Sequence, residues 1–82
     1  MTYEQMKNIA RLYLNEEYII FATKKGIAVR KPGRATFFIG IYPRHDGYVV
    51  QPFNNDLPNG TELTYHETLE GLVTKLKLMG ML

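Results

Sequence analysis

Apolar residues recur along this chain with two different periods, and the changes of period divide it into three parts. In the first part Tyr3, Met6, Ile9, Ala10, Tyr13 and Leu14 fall on one stripe at helical spacing, with Lys7, Asn8 and Arg11 outside it. Thr2 and Gln5 stand ahead of the stripe at capping-box spacing, where hydroxyl and amide each satisfy a backbone donor that the helix leaves free. Glu4 early and Arg11 late suit the helix dipole. The pattern predicts a helix over about 3–14, with Asn15 as a left-handed terminator.

The second part has the period of strands. Tyr18-Ile19-Ile20-Phe21-Ala22 is a continuous apolar run, which predicts a strand buried on both faces. Lys24-Lys25-Gly26 reads as a turn, Ile27 to Arg30 as a second strand, and Pro32-Gly33 as a break. Thr36 to Tyr42 is β-branched or aromatic at most positions and predicts a third strand, with Phe37, Ile39 and Ile41 on one face and Phe38 and Tyr42 on the other. Pro43 to Gly47 forms a turn, and Tyr48 to Gln51 a returning strand. The stretch from Pro52 to Gly60, with its prolines and asparagines, reads as a loop crossing from the sheet edge to the last element.

Helical spacing returns at the end. Tyr65, Leu69, Leu72, Val73, Leu76 and Met79 form a stripe, Thr64 and Glu67 have capping-box spacing, and Gly80 stands where a left-handed cap would let Met81 fold back towards Leu76. Lys75 and Lys77 near the end again suit the dipole. Two positions depart from plain amphipathicity. Gly71 lies inside the expected helix on the side of Leu78, away from the stripe, and Leu12 is off the stripe of the first helix. A small residue beside an apolar one can mark close approach by another backbone, so Leu12, Gly71 and Leu78 are candidates for self-association.

The expected fold is α+β: one small domain, helix, a three- or four-stranded antiparallel sheet, helix. Thr36–Tyr42 is apolar on both sides, which a single layer of helices would leave partly bare. A helix on each face, a partner chain over the open face, or an aromatic binding face would each answer that.

Composition narrows the function classes. At 82 residues, 45% hydrophobic and 22% charged, the chain fits one globular domain and not a disordered segment. Cysteine is absent, which excludes disulfides and thiolate-held metals. The amino terminus is polar and no apolar run approaches membrane-spanning length, so a cytoplasmic protein without a membrane partner is expected. There is no serine or cysteine nucleophile and no phosphate-loop glycine pattern, so neither catalysis nor a cofactor is expected. His45-Asp46 and His66-Glu67 hold metal-ligating groups, but not at a recognised ligand spacing, and no metal is expected either.

Net charge is +2, unevenly spread. Residues 1–41 hold seven basic and three acidic groups (+4), residues 42–82 three basic and five acidic (−2). Between Lys24 and Arg44 there is no acid at all. Lys24, Lys25, Arg30, Lys31, Arg34 and Arg44 would suit phosphates or an acidic partner, with Phe38, Tyr42 and Tyr48 as stacking rings. Single-stranded DNA or RNA is therefore the alternative partner. The first expectation is a protein partner or a second copy, in an inhibitor-like or regulatory role, because the second apolar face needs a cover.

Two short patches, GIAVR at 26–30 and ETLEGLV at 67–73, resemble Src-homology-2 domains, with Ile27-Ala28 where that family has Phe-Leu. By that resemblance Arg30 would be a phosphate ligand.

Overall fold

The first helix forms where its signals stand. In the computed structural model, which describes residues 1–82, α1 spans Tyr3–Tyr13, and Thr2 and Gln5 close the capping box in both directions. Its end differs from expectation. Leu14 is extended (φ −125°, ψ 136°), and Asn15 is not left-handed. Arg11 ends the helix instead, its guanidinium donating to the carbonyls of Asn15 (2.7 Å) and Tyr18 (2.8 Å).

Six strands follow: β1 Ile19–Ala22, β2 Ile27–Arg30, β3 Phe37–Arg44, β4 Gly47–Asn54, β5 Leu57–Pro58 and β6 Leu63–Tyr65. All pairings are antiparallel. The first four strands form a meander, and the outer side of β4 is shared, β5 pairing at its far end and β6 at its near end. The sheet thus has more strands than expected, because the stretch from Pro52 to Gly60 is not a plain loop. β4 runs on to Asn54, and Asn55 and Asp56 both take positive φ (54° and 64°), the geometry of a tight hairpin turn whose twist matches the flanking strands. Pro52 and Pro58 sit in these strands at positions a sheet tolerates; Pro58 lies in the short outermost strand β5.

The last helix, α2 Leu69–Leu78, starts later than its apolar stripe suggests. Leu63, Thr64 and Tyr65 pair with Val50, Val49 and Tyr48, so Thr64 is a strand residue. Thr68 is the cap, accepting from the Gly71 amide at 3.1 Å. Gly71 is therefore in the first turn, where its N–H is satisfied by the cap; a Cβ there would meet only the Thr68 hydroxyl oxygen, at 3.2 Å. Glu67 precedes the helix and pairs with Lys75 at 2.6 Å. The carboxyl end is as expected: Gly80 has φ 79°, and the Met81 amide donates to Leu76.

Both helices cover the same face of the sheet. Met6, Ala10 and Leu14 from the first helical segment and Leu69, Leu72, Val73 and Leu76 from α2 share one cluster with Ile20, Ile27, Val29, Ile39, Ile41 and Val50. No helix lies on the other face, so of the three ways to cover the two-sided strand, a helix on each face is not the one taken. β1, expected to be buried on both sides, is an edge strand with Ile19 and Phe21 partly exposed to solvent.

Candidate binding face and open edge

The helix-free face is set by strand alternation. Register places Phe21, Ala28, Gly40 and Gln51 across one row, and Arg30, Phe38 and Phe53 across the next. Phe38 and Phe53 stack, with centroids 4.8 Å apart and planes 4° from parallel; Phe21 sits tilted beside Phe38 at 6.2 Å. Three rings thus run from the middle of the sheet to its β1 edge.

Tyr42 closes the other part of this face. Its ring lies over Gly40, so closely that a Cβ on Gly40 would overlap the phenol oxygen, and Lys25 stands 5.6 Å above its centroid. Gly40 and Ala28 are buried although no helix covers them. The Tyr42 hydroxyl holds its proton more tightly than a free phenol, first because of burial and then because Glu62 is near, with Arg44 acting in the opposite sense. Gln51, 6% exposed, turns its amide to the carbonyls of Pro52 (2.8 Å) and Gly60 (3.3 Å).

The six basic residues do not form one patch, but Arg30, Lys31 and Arg34 line a shallow cleft together with Glu17 and Ile19 at the start of β1. Lys24 and Lys25 are exposed at the β1–β2 turn. Arg30 is half-buried on the helix-free face near Phe38, and its Nε is buried without a hydrogen-bond partner. Lys31 leaves the face, donating to the Gly80 carbonyl at the end of α2 (3.0 Å). Arg34 packs over Phe37 at 5.9 Å, and Arg44 is at the far tip, bonded to its own neighbour Pro43. Of the candidate rings, Phe38 and Tyr42 share the helix-free face, whereas Tyr48 points to the helical side, packs against the core and pairs with Tyr65. Burial, and then Glu70, raise the Tyr48 phenol above its ordinary range. Leu12 (79% exposed) and Leu78 (85%) remain open on the helices.

A second, shallow cleft of about 510 Å³ lies at the opposite end, between the β3–β4 turn and the start of α2. Asp46 and His66 meet in it at 3.1 Å, both well exposed. The four metal-ligating groups noted in the sequence line this cleft, yet Glu67 is engaged by Lys75, and no three such side chains converge to hold an ion.

The edge of β1 is the feature that the sequence concealed. The Thr23 amide donates to Gly26 inside the first hairpin, so by alternation Ile19 and Phe21 bond to β2 while Ile20 and Ala22 direct their N–H and C=O groups outward. Turns and side chains elsewhere make no bonds to Ile20 or Ala22. Glu16 and Glu17 precede this edge and Lys24 and Lys25 follow it, all four exposed. Those charged flanks were the available signal that the apolar run is an edge; Phe53 was hidden by its place between prolines.

No helix is long and apolar enough to cross a membrane. Comparison with family models, curated proteins and solved structures finds no match to this chain.

Proposed function

We propose that this chain is a non-catalytic association module that binds a polypeptide at the β1 edge and the adjoining helix-free face. The observation that carries this is the open edge itself: outward backbone groups at Ile20 and Ala22, flanked by exposed Ile19 (49%) and Phe21 (38%). An unpaired edge with apolar side chains is a ready template for strand addition, in which main-chain bonds supply affinity and alternate side chains supply specificity. The absence of cysteine suits a role in a reducing compartment such as the cytoplasm.

Photo-crosslinking in cells tests this. A photoreactive phenylalanine analogue replaces Phe21, and a control analogue replaces Thr74 on the exposed side of α2. The expected result is a nuclease-resistant, protease-sensitive adduct from position 21 and none from position 74. Equal labelling from both positions, or none from position 21, removes the proposal.

One observation favours a second partner class. The Phe38–Phe53 pair beside half-buried Arg30 puts two rings and a cation on one sheet face, the components that single-stranded nucleic-acid platforms combine. On this reading oligonucleotide affinity falls by orders of magnitude from low to moderate salt, and Phe38→Ala weakens it by about 1–3 kcal/mol. Anisotropy measurements with single-stranded DNA and RNA at two salt concentrations decide it, and no binding at low salt ends it.

A further inference from the structure

We infer that the shallow cleft between the start of β1 and the loop joining β2 to β3 is a site for a doubly charged oxyanion of the phosphate-monoester kind, with Arg30 as its chief contact. This goes beyond the association reading and does not depend on it.

Arg30 is a cation without an acceptor. It is half-buried, its Nε is enclosed without a hydrogen-bond partner, and its two terminal nitrogens, which reach solvent, bond to nothing in the chain. Arg11 and Lys31, also half-buried, each donate to a backbone carbonyl. The chain's two ion pairs lie elsewhere, at Asp46–His66 and Glu67–Lys75. A guanidinium held partly out of water without an acceptor costs free energy, and an anion that fills its terminal nitrogens from outside recovers part of that cost. The planar pair of N–H groups at that end matches two oxygens of one anion.

Charge decides which of the two spaces bordered by Arg30 takes the anion. On the helix-free face Arg30 lines a cavity of about 260 Å³, where it is the only cation and Asp56 opposes it. The cleft on the other side, about 320 Å³, gathers Arg30, Lys31 and Arg34 against Glu17 alone, three positive charges to one negative. A carboxylate meets only half of that excess, whereas a phosphate monoester, which carries close to two negative charges at neutral pH, meets all of it. The loop adds donors. The Arg34 amide closes the Pro32-Gly33 turn onto the Lys31 carbonyl at 3.1 Å, while the amides of Gly33 and Ala35, which also line the cleft, make no bond within the chain. Lys31 is bonded to the Gly80 carbonyl and contributes charge more than contact; Arg34, exposed over the Phe37 ring, is the second contact.

Titration of the full chain with phosphate and with sulfate at constant ionic strength, followed by NMR of the backbone amides and the arginine Nε–H groups, tests the inference. Both anions shift Arg30, Gly33 and Ala35 with dissociation constants on the order of 1 mM. Acetate, with one charge, binds about tenfold more weakly. Arg30→Gln weakens phosphate binding at least about tenfold and Arg34→Gln about threefold, Glu17→Gln strengthens it about twofold, and Lys24→Gln in the β1–β2 turn leaves it unchanged. Circular dichroism confirms that each variant is folded, and Arg34 and Glu17 are exposed, so the test stands even if the strand does not tolerate Arg30→Gln. Two carriers then name the source: of a nucleoside 5′-monophosphate and phosphoserine, the one bound more tightly than inorganic phosphate is the class the site serves, and if neither is, the free ion is. No saturable shift in the millimolar range, acetate bound as tightly as sulfate, an affinity unchanged by Arg30→Gln or Arg34→Gln, or one lowered by Glu17→Gln overturns the inference. None of these outcomes bears on the crosslink from position 21, which reports on the edge strand.

Discussion

Gly26 and Gly47 are glycines because a neighbouring backbone occupies the space of a side chain. A Cβ on Gly26 would run into the Ile41 carbonyl of β3, and one on Gly47 into the Tyr65 carbonyl of β6. At Gly40 the obstacle is only the Tyr42 ring, which can swing away. Gly26→Ala and Gly47→Ala are therefore expected to destabilise by about 2–3 kcal/mol, and Gly40→Ala by about 1 kcal/mol, in urea unfolding monitored by circular dichroism. The tyrosines set an alkaline limit. Tyr42 and Tyr48 hold their protons above the ordinary value of 10.0, so the unfolded phenols ionise first. Their contribution to stability is complete below pH 10 and is lost as pH rises through the raised folded values. Tyr42→Phe should flatten that loss in a series of thermal melts above neutral pH.

Among the elements, α2 shows how a local signal is overruled. Thr64 with Glu67 has the better capping-box spacing, yet β4 recruits Leu63–Tyr65 as a strand and leaves Thr68 to cap. Thr68→Ala should cost about 1 kcal/mol, whereas Thr64→Ala, on an exposed strand position, should cost only a few tenths. Comparison of the two unfolding midpoints distinguishes the assignments. The hairpin after β4 is a parallel case. Asn55 and Asp56 are both left-handed, a conformation that glycine takes without steric cost, so Asp56→Gly should raise stability by about 0.5–1 kcal/mol. α1 followed its sequence signals at its start because both partners of its capping box are local, at Thr2 and Gln5. Its end did not, because Arg11 reaches forward to Tyr18, a contact that depends on where β1 begins.

At the scale of the molecule, one face of the sheet carries the helix-covered core, and the other buries only a smaller group, Ala28, Tyr42 and Val49, beside its exposed rings. Leu72→Ala on the covered face should cost about 2–5 kcal/mol, as expected for a fully buried leucine. The uncovered face is stabilised by its own large side chains, Tyr42 over Gly40 and Phe38 against Phe53.

What the amino-acid sequence determined alone is local: the two amphipathic helices, the start of α1, the glycine stop at Gly80, the alternation of Thr36–Tyr42 and the α+β order of elements. These depend on residues within a turn or two of one another, or on side-chain period, and need no distant partner. What only the tertiary structure decided is pairing. Whether Tyr18–Ala22 is central or an edge depends on which strands lie beside it, and an apolar run looks the same in both settings. The same holds for Leu63–Tyr65, which is a strand only because β4 leaves an edge at Tyr48–Val50. The choice of a single face for both helices likewise came from packing, since either stripe would fit either face. That choice leaves Phe21, Phe38 and Phe53 without a helix over them, and the β1 edge beside them is open because no strand pairs with its outer side.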